Sequence, residues 1–128
     1  MRPATVFVVD DDPSMRPALK RLLTSAGLSV ESFASAEESL KELGQRTAGC
    51  LVLDARLTGM SGLELQARLA TIAPAMPVIV ITAVGSSQVE VDSLRAGAVA
   101  VLRKPFAPQT LLDAIGRALD ESPNGGRA

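Results

Sequence analysis

Four short stretches of the sequence carry residues able to do chemistry together: Asp10-Asp11-Asp12, Asp54, Thr82 and Lys104. The three aspartates follow directly on the apolar run VFVV. At ~4 Å and an effective dielectric of ~20, each like-charge pair costs about 4 kcal/mol. A fold keeps such a triplet where a cap or turn uses one charge and a cation uses the others. Hard oxygen ligands without His or Cys select Mg2+ or Mn2+ over zinc or copper. Mg2+ keeps several waters, which leaves positions for phosphate oxygens. A carboxylate beside such a metal can act as a nucleophile and form an aspartyl phosphate. A lysine and a hydroxyl would hold the other phosphoryl oxygens and stabilise the charge spread during transfer.

These residues act together only if the elements carrying them converge. Residues 5–10 (TVFVVD), 28–33 (LSVESF), 50–54 (CLVLD), 77–82 (PVIVIT) and 98–102 (AVAVL) read as strands, short, apolar and rich in β-branched residues. Between them lie segments of helical period. Asp12 can cap a first helix with Pro13 at its first position, an apolar stripe of Met15, Ala18, Leu19, Leu22, Leu23 and Ala26, and Gly27 at its end. Ser35 with Glu38 and Ser61 with Glu64 are capping boxes; Leu40 and Leu43 face inward from the second helix, and Leu65, Leu69 and Ile72 from the third. A weaker helix covers about 87–96, and Pro108 starts a last one with Leu111, Leu112, Ile115 and Leu119 inside. Strands alternating with helices predict an α/β fold, a doubly wound five-stranded parallel sheet of order 2-1-3-4-5. In such sheets ligands bind outside the carboxyl ends of the strands. Strand 1 ends in the aspartates, strand 3 in Asp54, strand 4 in Thr82, and strand 5 runs into Lys104-Pro105, so four strand ends deliver polar groups to one rim.

Composition narrows the class. A chain of 128 residues, 47% hydrophobic and 2% aromatic, is the size of one domain with an aliphatic core. The net charge of −1, without a basic cluster, argues against nucleic-acid binding by this segment. With no histidine and one cysteine, zinc fingers, disulfide frameworks and histidine catalysis are excluded; Cys50 reads as a small buried hydrophobe. The apolar runs are too short for a bilayer, no leader opens the chain, and no GxGxxG follows strand 1, so a cytoplasmic domain without a membrane or dinucleotide role is expected. Residues 1–121 form the expected domain, and 122–128 (SPNGGRA runs to the end) a flexible tail or the start of a linker.

Each polar group also has a plainer reading: Asp12 as a cap, Asp54 as the opening of a turn, Thr82 as an ordinary strand residue, Lys104-Pro105 as a strand stop. The combination is more specific than its parts. VVDDD followed by Pro, LVLDARLTGMSG, VIVITA and LRKPF, in this order and spacing over residues 5–120, resemble the receiver domain of two-component response regulators. GAVAVLRKPF and the ITAVG loop resemble FixJ-type regulators most, which carry a helix-turn-helix output domain after the receiver.

The resemblance implies a flavodoxin-like (βα)5 fold and roles for single residues. Asp54 would be the phosphoacceptor; Asp11, Asp54 and the backbone carbonyl of Arg56 would ligate Mg2+, with Asp10 contributing directly or through water. Thr82 would move to bond the phosphoryl group, Lys104 would pair with it, and small Ala83 would leave it room. The Lys104–Pro105 bond would be cis. The aspartates would then divide their labour, Asp12 capping the helix while Asp10 and Asp11 hold the cation. A sensor histidine kinase, or a small acyl phosphate, would supply the phosphoryl group. An output domain beyond this chain and a homodimer on phosphorylation are further implied partners.

Three features depart from the pattern or qualify it. Val101 stands where the family usually has Tyr or Phe as the rotating partner of Thr82, and Ala100 replaces a frequent acidic residue. Thr58 stands where the loop often has Pro. Arg56 and Val84, which flank the phosphoryl position, offer no carboxylate or amide to orient a hydrolytic water, so a long-lived aspartyl phosphate is expected. Two other classes compete: a Mg2+-dependent phosphohydrolase, against which Asp54-Ala55-Arg56 lacks a second acid, and a degenerate receiver serving only as an interaction module, which Val101 keeps open.

Overall fold

The structure, a computed structural model, describes residues 5–43, 49–57, 59–83 and 87–121. Five strands alternate with five helices: β1 (Thr5–Val9), α1 (Met15–Ser25), β2 (Ser29–Phe33), α2 (Ala36–Leu43), β3 (Cys50–Asp54), α3 (Gly62–Ile72), β4 (Val78–Thr82), α4 (Ser87–Arg95), β5 (Ala100–Arg103) and α5 (Pro108–Glu121). All neighbouring strands pair in parallel, in the order β2-β1-β3-β4-β5. β3 and β4 are buried at every residue, because helices cover both faces of the sheet. Val6, Val8, Val52 and Ile79 point to one face and pack with Leu19 and Leu23 of α1 and Leu111 and Ile115 of α5. Phe7, Val9, Leu51 and Leu53 point to the other, against Leu43 of α2 and Leu65 and Leu69 of α3. Each fully buried Leu contributes about 1.5–3 kcal/mol relative to exposure. The strand order reverses between β1 and β3, which opens the crevice at their carboxyl ends.

Element ends follow local hydrogen bonding. Asp12, expected to cap α1 with Pro13 at its first position, instead holds a turn formed by Pro13 and Ser14; the N-cap position falls on Ser14, and the helix proper starts at Met15. The Asp12 carbonyl accepts from the amides of Met15 (3.1 Å) and Arg16 (3.4 Å), and its Oδ1 accepts from the Ser14 amide (2.9 Å) and hydroxyl (2.8 Å). Ala18 and Ala26, expected inside, are exposed; Leu19 and Leu23 carry the buried stripe. The Ser35 and Ser61 hydroxyls accept from the amides of Glu38 and Glu64, both at 3.1 Å, which starts α2 and α3 as the sequence indicates. Ile72, expected inside, is 44% exposed, and Met76 from the following turn joins the core instead.

Helices α1 and α4 close in the same way. Leu28 N–H donates to Leu23 O and Gly27 N–H to Thr24 O; likewise Ala98 N–H donates to Ser93 O and Gly97 N–H to Leu94 O. Gly27 (φ +87°) and Gly97 (φ +106°) supply the left-handed residue this closure needs. The second closure explains why β5 begins at Ala100 rather than at residue 98: Ala98 is engaged in ending α4, and Val99 N–H bonds Val78 O before regular pairing begins.

Helix α4 differs from its neighbours. Ser93 is its only buried residue, while Val89, Val91 and Leu94 are 38–49% exposed. Two polar ties hold it. The Gln66 carboxamide of α3 donates from Nε2 to Ser93 O (3.1 Å), and Arg103 of β5 pairs through Nε with Glu90 (2.8 Å). Gln66 is buried, and its Oε1 has no hydrogen-bond partner. No helix among the described residues is long and apolar enough to cross a membrane. Thr58, Val84 and the tail 122–128, all singled out in the sequence, lie outside the described residues.

Candidate functional site

The parallel sheet brings the carboxyl ends of β1, β3, β4 and β5 to one rim. Asp10 follows the last residue of β1 and is 1% exposed; Asp54 ends β3 at 8%; Thr82 ends β4 at 3%. Burial of two carboxylates side by side in an aliphatic sheet is costly unless charge or hydrogen bonds compensate. Here they do. Asp54 Oδ2 pairs with Lys104 Nζ at 3.2 Å, and Asp54 Oδ1 accepts from the Arg56 amide at 2.8 Å. Asp10 Oδ1 accepts from the Asp12 amide at 2.9 Å. Lys104 is itself positioned by its amide, which donates to Thr82 O at 2.8 Å and so ties the β5 end to the β4 end. The Lys104–Pro105 peptide bond is cis.

Asp10, Asp11 and Asp54 each bring a carboxylate oxygen within 4.8 Å of the others. Mg2+ binds oxygen at about 2.0–2.1 Å, so opposite ligands across it stand about 4 Å apart. The cluster therefore fits a small hard cation with little adjustment, and its donor set is all oxygen. The electrostatics agree: burial first, then the charge of Asp54, raises the Asp10 carboxyl above the ordinary carboxylate range, although the Asp12 amide and Lys104 oppose this. Asp12 behaves oppositely. Hydrogen bonds from the Ser14 amide and hydroxyl hold its carboxyl below the usual range, as suits a cap rather than a member of the cluster.

Other residues singled out in the sequence sit at different distances from this centre. Arg56 turns its amide to Asp54 and is otherwise exposed. Ala83 is exposed at the rim, beside an open apolar groove of about 650 Å3 lined by Met15, Leu19, Leu22, Pro105 and Phe106, with Lys104 at its edge. Val101 lies mid-strand in β5, half-buried against the α2–α3 face of the core. Three contributors escaped the sequence reading. Arg16 donates from Nη1 to Asp10 O at 2.6 Å. Glu37 of α2 accepts from the Met60 amide (3.3 Å) in the loop after β3. Gly62 begins α3 hard against the main chain that follows Asp54: a Cβ there would stand 2.9 Å from Asp54 O. Helical periodicity points to Gln66, a polar residue flanked by Leu65 and Leu69 on the inner face, but gives no signal for a long side chain reaching back to a strand end.

The description "Response regulator receiver domain" matches residues 6–116. The chain belongs to that family. It is 47% identical over 112 residues to nodulation protein W of Bradyrhizobium diazoefficiens, covering 88% of this chain and 49% of that protein. It is 35% identical over 117 residues to the transcriptional regulatory protein FixJ of the same organism, covering 91% and 57%. Among solved structures, FixJ-N superposes with a TM-score of 0.87 at 37% identity, covering 94% of this chain and 97% of that one. This receiver domain thus spans about half the length of the curated relatives it matches. Receivers are signalling domains of two-component response regulators, and these relatives include a transcriptional regulator.

Proposed function

We propose that this receiver accepts a phosphoryl group on Asp54 in the presence of Mg2+ and thereby switches an output partner. The reading rests chiefly on one observation: Asp54 stands between Lys104 Nζ, at 3.2 Å, and the carboxylates of Asp10 and Asp11, within 4.8 Å, at a rim shared with Thr82. Asp10, Asp11, Asp54 and the Arg56 carbonyl would hold the cation, which when bound neutralises charge on the phosphoryl oxygens. An Asp54 carboxylate oxygen attacks phosphorus, forming an O–P bond as the P–N bond of a phosphohistidine, or the P–O bond of an acyl phosphate, breaks. The leaving imidazole keeps the bonding pair and takes its proton from solvent. Lys104 follows the phosphoryl oxygens, and Thr82 donates its hydroxyl to one of them. With no histidine in the chain, the donor acts in trans, and a sensor histidine kinase in the cytoplasm is its source.

Residues 1–121 are proposed as the receiver and 122–128 as a flexible tail or the start of a linker. The greater length of the relatives, one of them a transcriptional regulatory protein, supports an output domain beyond this chain; its helix-turn-helix form and homodimerisation on phosphorylation rest on the family resemblance alone. Because Val101 has no ring to rotate, the face of α4, β5 and α5 rearranges less than, or differently from, one with an aromatic switch. By residue type neither Arg56 nor Val84 offers a carboxylate or amide to orient a hydrolytic water, so the adduct is relatively long-lived; a half-life of seconds refutes that part. The primary test is intact-mass analysis after incubation with acetyl phosphate and Mg2+. One phosphoryl adduct on the wild type, absent from Asp54→Asn and lost with chelator, is expected. A folded wild type that takes up nothing from either acetyl phosphate or a phosphorylated kinase refutes the proposal and favours a phosphorylation-independent interaction module.

A further inference from the structure

We infer that Arg16 is a positioning residue for the cation-binding carboxylates, acting through the main chain of Asp10; this rests on the reading of the acidic cluster given above. At the end of β1 the regular ladder runs out. The last register pair with β2 is Val9 with Phe33, after which β2 turns toward α2. On the other side, the Ala55 amide is turned to Ile81 O (2.9 Å), toward β4. The Asp10 carbonyl, at the part-buried rim, instead receives Arg16 Nη1 at 2.6 Å from the first turn of α1. Charge-assisted hydrogen bonds are shorter and stronger than neutral ones, and a guanidinium keeps its charge at every working pH.

The consequence follows from peptide planarity. The Asp10 carbonyl and the Asp11 amide belong to one rigid plane, so fixing that carbonyl fixes the direction in which Asp11 leaves the strand. Asp10 is then held at three atoms: its amide by Phe33 O (3.1 Å), its Oδ1 by the Asp12 amide (2.9 Å) and its carbonyl by Arg16. Without the guanidinium, the plane can rock about the remaining two ties, and the spacing of Asp10 and Asp11 against Asp54 loosens. Partners that orient metal ligands are typically worth 10–100-fold in metal affinity. Acting at one remove, through a main-chain carbonyl, Arg16 falls at the lower end, about tenfold.

The test compares wild type, Arg16→Met, which keeps the apolar stem without donors, and Arg16→Lys. Mn2+ binding is read directly from the electron paramagnetic resonance signal of free Mn2+. In parallel, phosphoryl uptake is followed by intact mass as Mg2+ and acetyl phosphate are varied separately. Arg16→Met is expected to bind Mn2+ about tenfold more weakly, and Arg16→Lys to recover part of the loss. Uptake at saturating Mg2+ and the half-saturating acetyl phosphate concentration are expected to stay within about twofold of wild type, since Arg16 touches neither nucleophile nor donor. Wild-type Mn2+ affinity in Arg16→Met overturns the inference. So does a loss that appears only as a higher acetyl phosphate requirement at saturating metal, which would make Arg16 a donor-binding group. Should Arg16→Met fail to fold by circular dichroism, Arg16→Gln, a neutral and shorter donor, carries the same measurement. A wild type that binds no Mn2+ refutes the cation site itself, a result distinct from an Arg16 variant that matches a metal-binding wild type.

Discussion

Two glycine-to-alanine substitutions, both inside helices, are expected to move stability in opposite directions. Gly116 lies in α5 on an exposed surface, and a Cβ there meets nothing within 4 Å. Alanine in a helix interior is favoured over glycine by about 0.5–1 kcal/mol, so Gly116→Ala is stabilising by that amount. Gly62 starts α3, and its added Cβ would stand 2.9 Å from Asp54 O, 3.0 Å from Ala55 Cα and 3.1 Å from Ala55 O. All three are main-chain atoms, so no side-chain rotation relieves the contact. Overpacking of this kind costs about 1–3 kcal/mol, and the propensity gain of under 1 kcal/mol offsets only part of it. The net expectation is destabilisation by about 1–2 kcal/mol, or roughly 4 °C in Tm per kcal/mol at this chain length. Lacking Trp and Tyr, the protein is followed by far-UV circular dichroism in urea, with m unchanged if both variants stay two-state. Because the contact lies beside Asp54, the proposed phosphoacceptor, Gly62→Ala is also expected to slow phosphoryl uptake while Gly116→Ala leaves it alone. Shifts of the same sign, or a Gly62→Ala protein as stable as wild type, would refute the steric reasoning.

Three further outcomes follow from the titratable groups. Burial raises the Asp10 carboxyl, so without metal the folded chain retains a proton there that the unfolded chain has released, and stability falls as pH rises through that window. In chelator at neutral pH, Asp10→Asn is therefore expected to have the higher urea midpoint, an advantage that shrinks toward pH 3.8; equal midpoints throughout refute it. Asp12 has the opposite sign: its depressed folded pKa contributes stability that is present above the unfolded value and is lost as pH falls through the folded one. Asp12→Ala is thus expected to be less stable than wild type at neutral pH, with the gap in denaturation midpoints closing in acid. Burial pushes the Cys50 thiol up to about 12, so iodoacetamide at pH 8 is expected to leave the folded protein unlabelled and to modify it once urea unfolds it; rapid labelling of the native state refutes this.

The sheet order and the convergence of Asp10, Asp54, Thr82 and Lys104 were legible because strand periodicity, chain direction and the parallel-sheet rule act together on short segments. Capping was legible at Ser35 and Ser61 because a side chain and an amide a few residues away suffice, whereas Asp12 holds the turn ahead of the α1 N-cap, Ser14. What escaped depends on distant partners. The start of β5 is set by the closure of α4 through Ala98 and Ser93, which no propensity at residue 98 announces. Ile72 keeps helical spacing, yet the core ends before it reaches inward. Arg16 and Gly62 act through main-chain carbonyls, and nothing in local composition says which carbonyl lies within reach.

Helix α4 is attached by two polar ties and one buried serine, with its aliphatic residues turned outward. Lifting such a helix alone exposes far less apolar surface than global unfolding does, although it also uncovers the sheet residues beneath it. Both the denaturant slope and the heat-capacity change of a local opening scale with the surface newly exposed. Opening of residues 87–95 therefore responds less steeply to urea and to temperature than the release of β3 or β4, whose every residue is buried. In native-state hydrogen exchange the α4 amides would trace a shallower line against denaturant than the central strands, which follow the steep global slope, so one molecule carries a segment whose mobility is only loosely tied to the stability of its core.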